Sequence, residues 1–304
     1  MENLFDNQKD LGKKIVQAPN SSVLAFAHTQ CGKTGSMLAA ILLSKIPFDH
    51  IFVITGLSSV DWLVQTRNRI PILNIYHRNT IPAFIKKIKN LQNYWVFIDE
   101  CHIAFKPGQT IREVIKLFHP STKTIYVSAT PDWNFFKPDG VVRPGFSIRT
   151  MNNDQNYRSI QYFIDNNLIF QCKSLINSDA IRNIQEIIPL LSSVPKYHII
   201  RTSRNTDHVI TIQNFKLVFG DSYSFISMPI NICSILSIKP LKHSFIFIKD
   251  TIRCAITIPK LFIGILYDRF TKYPSFSSVI QGLCGRATGF HSFDIIIFSF
   301  PKLI

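Results

Sequence analysis

A chain of 304 residues is too long for one small domain and suits two of about 150 residues each. Hydrophobic residues make up 46% and charged residues 17%, enough apolar material for a core in each half, which excludes a chain dominated by disorder. The balance of 34 Lys and Arg against 19 Asp and Glu gives a formal charge of +15, which favours a polyanionic partner, either nucleic acid or an anionic membrane surface.

The stretch from Met1 to Lys14 has acidic residues and no apolar core, so it does not read as a secretory signal. An intracellular compartment, cytoplasm or nucleus, is expected. Short apolar runs rich in β-branched and aromatic residues predict strands at 23–27, 51–55, 73–76, 94–98 and 124–127, with helical segments at 36–43 and 81–91 between them. Strands that alternate with helices point to an α/β fold with a parallel sheet covered on both faces. Residues 95–98 are continuously apolar, as a central strand buried on both sides would be.

The polar run 151–156 is the candidate linker, dividing the chain into domains 1–150 and 151–304. Beyond it, strands are expected at 198–200, 216–219, 244–248, 261–267 and 295–300, and a helix at 178–191. Two apolar stretches approach the length of a membrane span. Residues 222–238 are broken by Pro229 and Asn231, and residues 245–266 by Lys249, Asp250, Arg253 and Lys260. Both read as buried strands and their connections, so no membrane partner is expected. Cys31, Cys101, Cys172, Cys233, Cys254 and Cys284 form no CxxC pair, which argues against a zinc site and against a disulfide framework. They read as reduced thiols, mostly buried.

The chemistry begins directly after the first strand, at His28-Thr29-Gln30-Cys31-Gly32-Lys33-Thr34-Gly35, which runs straight into a helix. A strand-to-helix turn of this kind aims backbone N–H groups at phosphates; Lys33 reaches the β and γ oxygens and the Thr34 hydroxyl ligates Mg2+. The general pattern places glycine five positions before Gly32, where this chain has Ala27. Asp99-Glu100-Cys101-His102 follows the buried strand, at the strand end where ligands of open α/β sheets gather. There Asp99 would hold Mg2+ and Glu100 would orient and deprotonate an attacking water, with His102 on the γ-phosphate side. An isolated acidic pair is more often a solvated strand end, but four apolar residues run straight into this one. Ser128-Ala129-Thr130 again ends an apolar strand, and its hydroxyls can bond the acidic pair and relay phosphate state. Near the last strand stands Gln281-Gly282-Leu283-Cys284-Gly285-Arg286, where Arg286 can stabilise charge on a transferring phosphoryl group and Gln281 can bond nucleotide or water.

In this order and across nearly the whole chain, the four segments resemble motifs I, II, III and VI of superfamily-two DExH helicases and translocases. Length and composition also resemble compact helicase-like proteins of large DNA viruses. The resemblance implies two RecA-like parallel-sheet lobes with the nucleotide cleft between them, ATP and Mg2+ as cofactors, and nucleic acid, DNA or RNA, across both lobes. It implies Lys33, Thr34, Asp99, Glu100 and Arg286 as the catalytic set. Motif VI departs from its common form: an extra residue separates Gln281 from Gly285, and Thr288, Gly289 and Phe290 stand where a second arginine is usual. For an upstream adenine-reading glutamine the candidate is Gln17, and for motif V residues 249–253.

Candidates for sugar–phosphate contacts are Thr55 and Gly56 with Trp62, Arg67 and Arg69 beyond them, and Arg201, Thr202, Ser203 and Arg204 in the second half. Three activities remain open. The first is an ATP-dependent helicase or translocase. The second is a nucleic-acid clamp that binds nucleotide without turnover, and the third is the motor subunit of a larger restriction or remodelling assembly.

Overall fold

Apolar runs without a polar alternation cannot face water on either side, and they stack here as parallel strands with helices above and below. The computed structural model describes residues 4–104, 108–152, 156–203, 206–249, 257–272 and 282–300. It comprises two units, Met1–Gln155 and Asn156–Ile304.

In the first unit, β1 (Ser22–Phe26), β2 (Ile51–Thr55), β3 (Ile75–Tyr76), β4 (Trp95–Asp99), β5 (Lys123–Ser128) and β6 (Phe146–Thr150) form one sheet in the order β3-β2-β4-β5-β1-β6. Every neighbouring pair is parallel. Parallel neighbours need crossovers. Those are carried by α2 (Lys33–Leu43), α3 (Val60–Arg69), α4 (Ile81–Ile88), α5 (Cys101–Ala104), α6 (Thr110–Ile115) and α7 (Trp133–Phe136), while α1 (Asp6–Val16) precedes β1. All positions of β2 and β4 are buried. The register places Thr55 opposite Asp99, Asp99 opposite Val127 and Phe26 opposite Ser128, so four strands end together at the carboxyl edge of the sheet.

One face of this sheet is covered by a core of Leu24, Phe52, Phe84, Tyr94, Val96 and Tyr126, with Phe52 set edge-on to Phe84 and Tyr94. α1 packs on α2 at very close range. A Cβ on Gly12 would lie 2.5 Å from the Cβ of Ala39, so only glycine lets the two backbones approach this far.

In the second unit, β8 (Ile169–Gln171), β9 (Tyr197–Arg201), β10 (Ser224–Ser227), β11 (Ser244–Ile248), β12 (Ile263–Tyr267) and β14 (Ile296–Ser299) form another all-parallel sheet, in the order β10-β11-β9-β12-β14-β8. β7 (Tyr157–Arg158) and β13 (Gly289–Phe290) make a short antiparallel pair. The described helices are α8 (Ile160–Asp165), α9 (Ala180–Gln185), α10 (Thr206–Phe219), α11 (Ile232–Leu236) and α12 (Leu283–Ala287). Ile199, Ile246 and Leu266 pack with Phe163 on one face, and Phe245, Phe247 and Ile265 with Phe215 on the other.

The α/β class and the parallel sheets agree with the sequence reading, but several elements differ from it. Residues 216–219, expected as a strand, are the last turn of α10. His208, Thr211, Phe215 and Phe219 are its buried face, a spacing of three and four that fits a helix and no strand. The helix expected over 178–191 is shorter, Ala180–Gln185, followed by a tight turn at Ile188–Leu190. Pro189 cannot donate the backbone bond that would continue it. Strand 73–76 contracts to Ile75–Tyr76, since Leu73 is almost wholly exposed. β6, β7, β8, β10 and β13 have no counterpart among the strands that the sequence predicts. Among the described residues, five cysteines are free and four of these are buried, while Cys254 lies outside the described residues. No described helix is long and apolar enough to cross a membrane.

Candidate functional site

The loop between β1 and α2 is shaped by backbone rather than by side-chain caps. Gly32 caps α2 in a left-handed conformation, φ +98°, and its carbonyl accepts the Gly35 and Ser36 N–H groups at 2.9 and 3.2 Å. Lys33 and Thr34 are the first residues of α2, where helical N–H groups have no partner within the helix and the helix dipole favours an anion. Gln30 also has a positive φ, 56°, and the Cys31 thiol donates to the His28 carbonyl at 2.8 Å. Burial pushes the Cys31 thiol up, against the pull of Lys33, so it remains a neutral structural group. Burial, then the Lys33 charge, holds His28 down in its neutral form.

A residue that sequence reasoning missed supports this loop from below. Gln8 on α1 is buried; its amide nitrogen donates to the Gly32 carbonyl at 3.3 Å and its oxygen accepts the Phe5 N–H at 3.1 Å. A Cβ on Gly32 would fall 2.1 Å from that amide nitrogen, and one on Gly35 2.5 Å from the same side chain, so both glycines make room for Gln8. Gln17, the glutamine singled out by sequence, is exposed at the end of α1. Only helical burial of Gln8 amid Leu11 and Ile15 signals the difference, and one sequence does not reveal it.

Asp99 closes β4 and Glu100 follows it, 6% and 2% exposed. Both oxygens of Asp99 are engaged: Oδ1 accepts the Glu100 N–H at 3.0 Å and Oδ2 the indole N–H of Trp62 at 2.8 Å. Burial pushes Asp99 up to about 6, and the Glu100 charge adds to it, while Lys33, Trp62 and the Glu100 N–H oppose the rise. Glu100 itself sits at φ +52°, a left-handed conformation that costs a residue with a Cβ roughly 1–2 kcal/mol. Its carboxylate lies 3.4 Å from Nδ1 of His102, and that nitrogen lies 3.2 Å from the Ser128 hydroxyl. Ser128 accepts the Thr130 N–H at 3.0 Å, so the acidic turn and the end of β5 are joined by one chain of polar contacts. Burial, with the charges of Glu100 and Asp99, holds the Cys101 thiol well above its ordinary range.

The donor set fits a small divalent cation. Two buried carboxylates stand side by side at this edge, and Thr34 with its hydroxyl lies at the start of α2. Among the described residues no group of three or more His, Cys, Asp and Glu could hold a metal alone. A small hard cation such as Mg2+ takes one or two carboxylates and completes its shell with water and phosphate oxygens.

Three expectations for nucleic-acid contacts look different in place. Trp62, named beside the candidates for sugar–phosphate contacts, is buried and its indole N–H is bonded to Asp99. Thr55 is buried too, and its hydroxyl accepts the Leu57 N–H at 3.3 Å; Gly56 lies under Ile103. Arg201 ends β9 in an ion pair with Asp268 at 3.2 Å, so part of its charge is already compensated within the second unit. Ser203 follows at the same strand end, partly buried. Arg286 is 3% exposed on α12, and burial, then the Arg286 charge, pushes the neighbouring Lys260 down to about 8. Gln281, Arg204 and Arg253 lie outside the described residues.

No protein-family model matches the chain. An uncharacterized protein of Acanthamoeba polyphaga mimivirus, L594, is 25% identical over 311 aligned residues, covering 88% of this chain and 77% of the viral one. Among solved structures, S. cerevisiae Dbp5 bound to RNA and ADP BeF3 superposes with a TM-score of 0.62 at 14% identity, over 98% of this chain and 83% of Dbp5. The Escherichia coli DEAH/RHA helicase HrpB gives 0.58 at 13% identity, over 96% of this chain and 41% of HrpB. These structural neighbours are superfamily-two helicases, and the two six-stranded parallel sheets of this chain match their two RecA-like lobes.

Proposed function

We propose that this protein is an ATP-dependent helicase or translocase of the DExH kind, coupling Mg-ATP hydrolysis to movement on DNA or RNA. The observation that carries the reading is the pair of buried carboxylates, Asp99 and Glu100, at the carboxyl edge of a parallel sheet in which β1, one strand removed beyond β5, leads at the same edge into the Gly32-Lys33-Thr34 helix start. Buried adjacent acids weigh against the fold unless a cation uses them.

In this reading residues 29–35 wrap the phosphates with backbone N–H groups, and Lys33 neutralises the β and γ oxygens. Thr34 and Asp99 would hold the cation, which when bound would supply positive charge to the phosphate oxygens. Glu100 takes a proton from water as its oxygen bonds to the γ-phosphorus and the bond to the β–γ bridging oxygen breaks, leaving nucleoside diphosphate and phosphate. His102, Ser128 and Thr130 carry the change in phosphate charge from Glu100 to the end of β5. Arg286 and Gln281 keep the roles that the motif VI resemblance implies for them, stabilising phosphoryl charge and bonding nucleotide or water. Thr55, Gly56, Arg201, Ser203 and Arg204 belong to the nucleic-acid track. The net charge of +15 supports a polyanionic track.

The test is steady-state ATP hydrolysis with Mg2+, with and without single-stranded DNA or RNA, for the natural chain and Glu100→Gln. Turnover stimulated by nucleic acid is expected, falling about 100-fold or more in the variant while nucleotide still binds. A second reading, a clamp that binds nucleotide without turnover, is favoured by the deep burial of Arg286. Nucleotide binding with no turnover on either nucleic acid would establish it.

A further inference from the structure

Trp62 makes a contact that packing alone does not require. It sits in the first turn of α3, where its backbone N–H is held by the Ser59 hydroxyl at 3.2 Å. From there the indole reaches β4 and donates to Oδ2 of Asp99 at 2.8 Å, with both residues buried. The other oxygen, Oδ1, accepts the Glu100 N–H. Two donors from two elements therefore set the plane of this carboxylate, and each oxygen keeps a lone pair for another partner.

An indole nitrogen only donates, so it can neither compete with Asp99 for a cation nor shift its role to acceptor. It fixes the carboxylate without blocking it. A phenylalanine would fill most of the same volume and lack this bond.

The position of α3 gives the bond a second consequence. The helix follows the Thr55-Gly56 turn at the end of β2 and carries Arg67 and Arg69 in its last turn. Thr55 lies directly opposite Asp99 in the sheet, and Trp62 returns from the helix to that same Asp99. A movement of α3 thus turns or releases one oxygen of the carboxylate.

We infer that Trp62 is a positioning residue for Asp99: its indole N–H holds the carboxylate in the orientation that accepts a divalent cation, and makes the seating of α3 a condition of cation binding. The inference rests on the nucleotide reading above.

The experiment titrates Mg2+ into the full chain with a fluorescent ATP analogue, starting from excess chelator. It is run for the natural protein, for Trp62→Phe, and for a protein with benzothienylalanine at position 62, which keeps the ring shape and deletes only the N–H. Losing a hydrogen bond to a charged group is expected to raise the half-saturating Mg2+ about tenfold in both altered proteins. Nucleotide affinity in chelator should stay within about twofold, since Trp62 acts only through the cation ligand. Tryptophan fluorescence of the natural chain should change on Mg2+ addition by an amount absent from Trp62→Phe. If Trp62→Phe does not fold, the benzothienyl protein decides. An unchanged Mg2+ requirement in the benzothienyl protein overturns the inference and leaves nucleotide binding standing; failure of the natural chain to bind nucleotide overturns both.

Discussion

Replacing Asp99 with asparagine removes a buried negative charge while preserving size and one acceptor oxygen. The carboxyl has an ordinary value of 3.8 and is pushed up to about 6 in the fold, by burial first and the Glu100 charge second. A raised carboxyl favours the fold fully below the lower value and loses that advantage as pH climbs through the higher one. At about pH 8 the ionised group therefore weighs against folding by roughly 3 kcal/mol. The amide oxygen can still accept the Trp62 N–H, whereas the Glu100 N–H loses its acceptor, a loss of about 1 kcal/mol. Asp99→Asn should thus stabilise the first unit by about 2 kcal/mol at about pH 8, and the gain should vanish or reverse by about pH 4. The three tryptophans, Trp62, Trp95 and Trp133, all lie in that unit, so their fluorescence during urea unfolding in chelator follows it alone. Equal stability of the two proteins at about pH 8, or a gain of the same size at about pH 4, would refute the electrostatic account.

Gly12→Ala sets two effects against each other. Alanine favours a helix by about 1 kcal/mol over glycine, but the new Cβ would lie 2.5 Å from the Ala39 Cβ, an overlap that typically costs 1–3 kcal/mol. The backbone of α2 cannot yield as a side-chain tip would, so a net loss of about 1 kcal/mol is expected as a lower unfolding midpoint; a midpoint at or above the natural one would deny the close approach. In the second unit, Phe215→Ala should cost about 3–5 kcal/mol, because its ring lies 5.0 and 5.2 Å from those of Phe245 and Phe247. Leu217→Ala, at a position 77% exposed, should change stability by no more than about 0.5 kcal/mol. A strand would put positions 215, 217 and 219 on one face, so comparable losses at 215 and 217 would contradict the helix.

What sequence alone determined is local. A buried strand must be continuously apolar, a phosphate loop must turn from strand into helix through a left-handed glycine, and acids at a strand end must follow an apolar run. Each requirement falls within a few consecutive residues, so β1 with Gly32-Lys33-Thr34, β4 with Asp99-Glu100, and β5 with Ser128 are legible one segment at a time. Their order then carried the α/β class and the parallel sheets, because parallel neighbours can be joined only by crossovers.

Where two periods compete within one run, the sequence reading failed. Residues 216–219 look β-rich, yet Phe215 and Phe219 sit one helical turn apart and pack on Phe245, a partner remote in the chain. The same remoteness hid the partners at the candidate site. Trp62 meets Asp99 across 37 positions, Gln8 meets Gly32 across 24, His102 meets Ser128 across 26, and Arg201 meets Asp268 across 67. Nothing local distinguishes a tryptophan that donates to a buried carboxylate from one that faces a sugar–phosphate chain, since either can follow a strand end on a helix. Only the folded sheet, by aligning Thr55 with Asp99 and bringing α3 back over β4, decides which of the two it is.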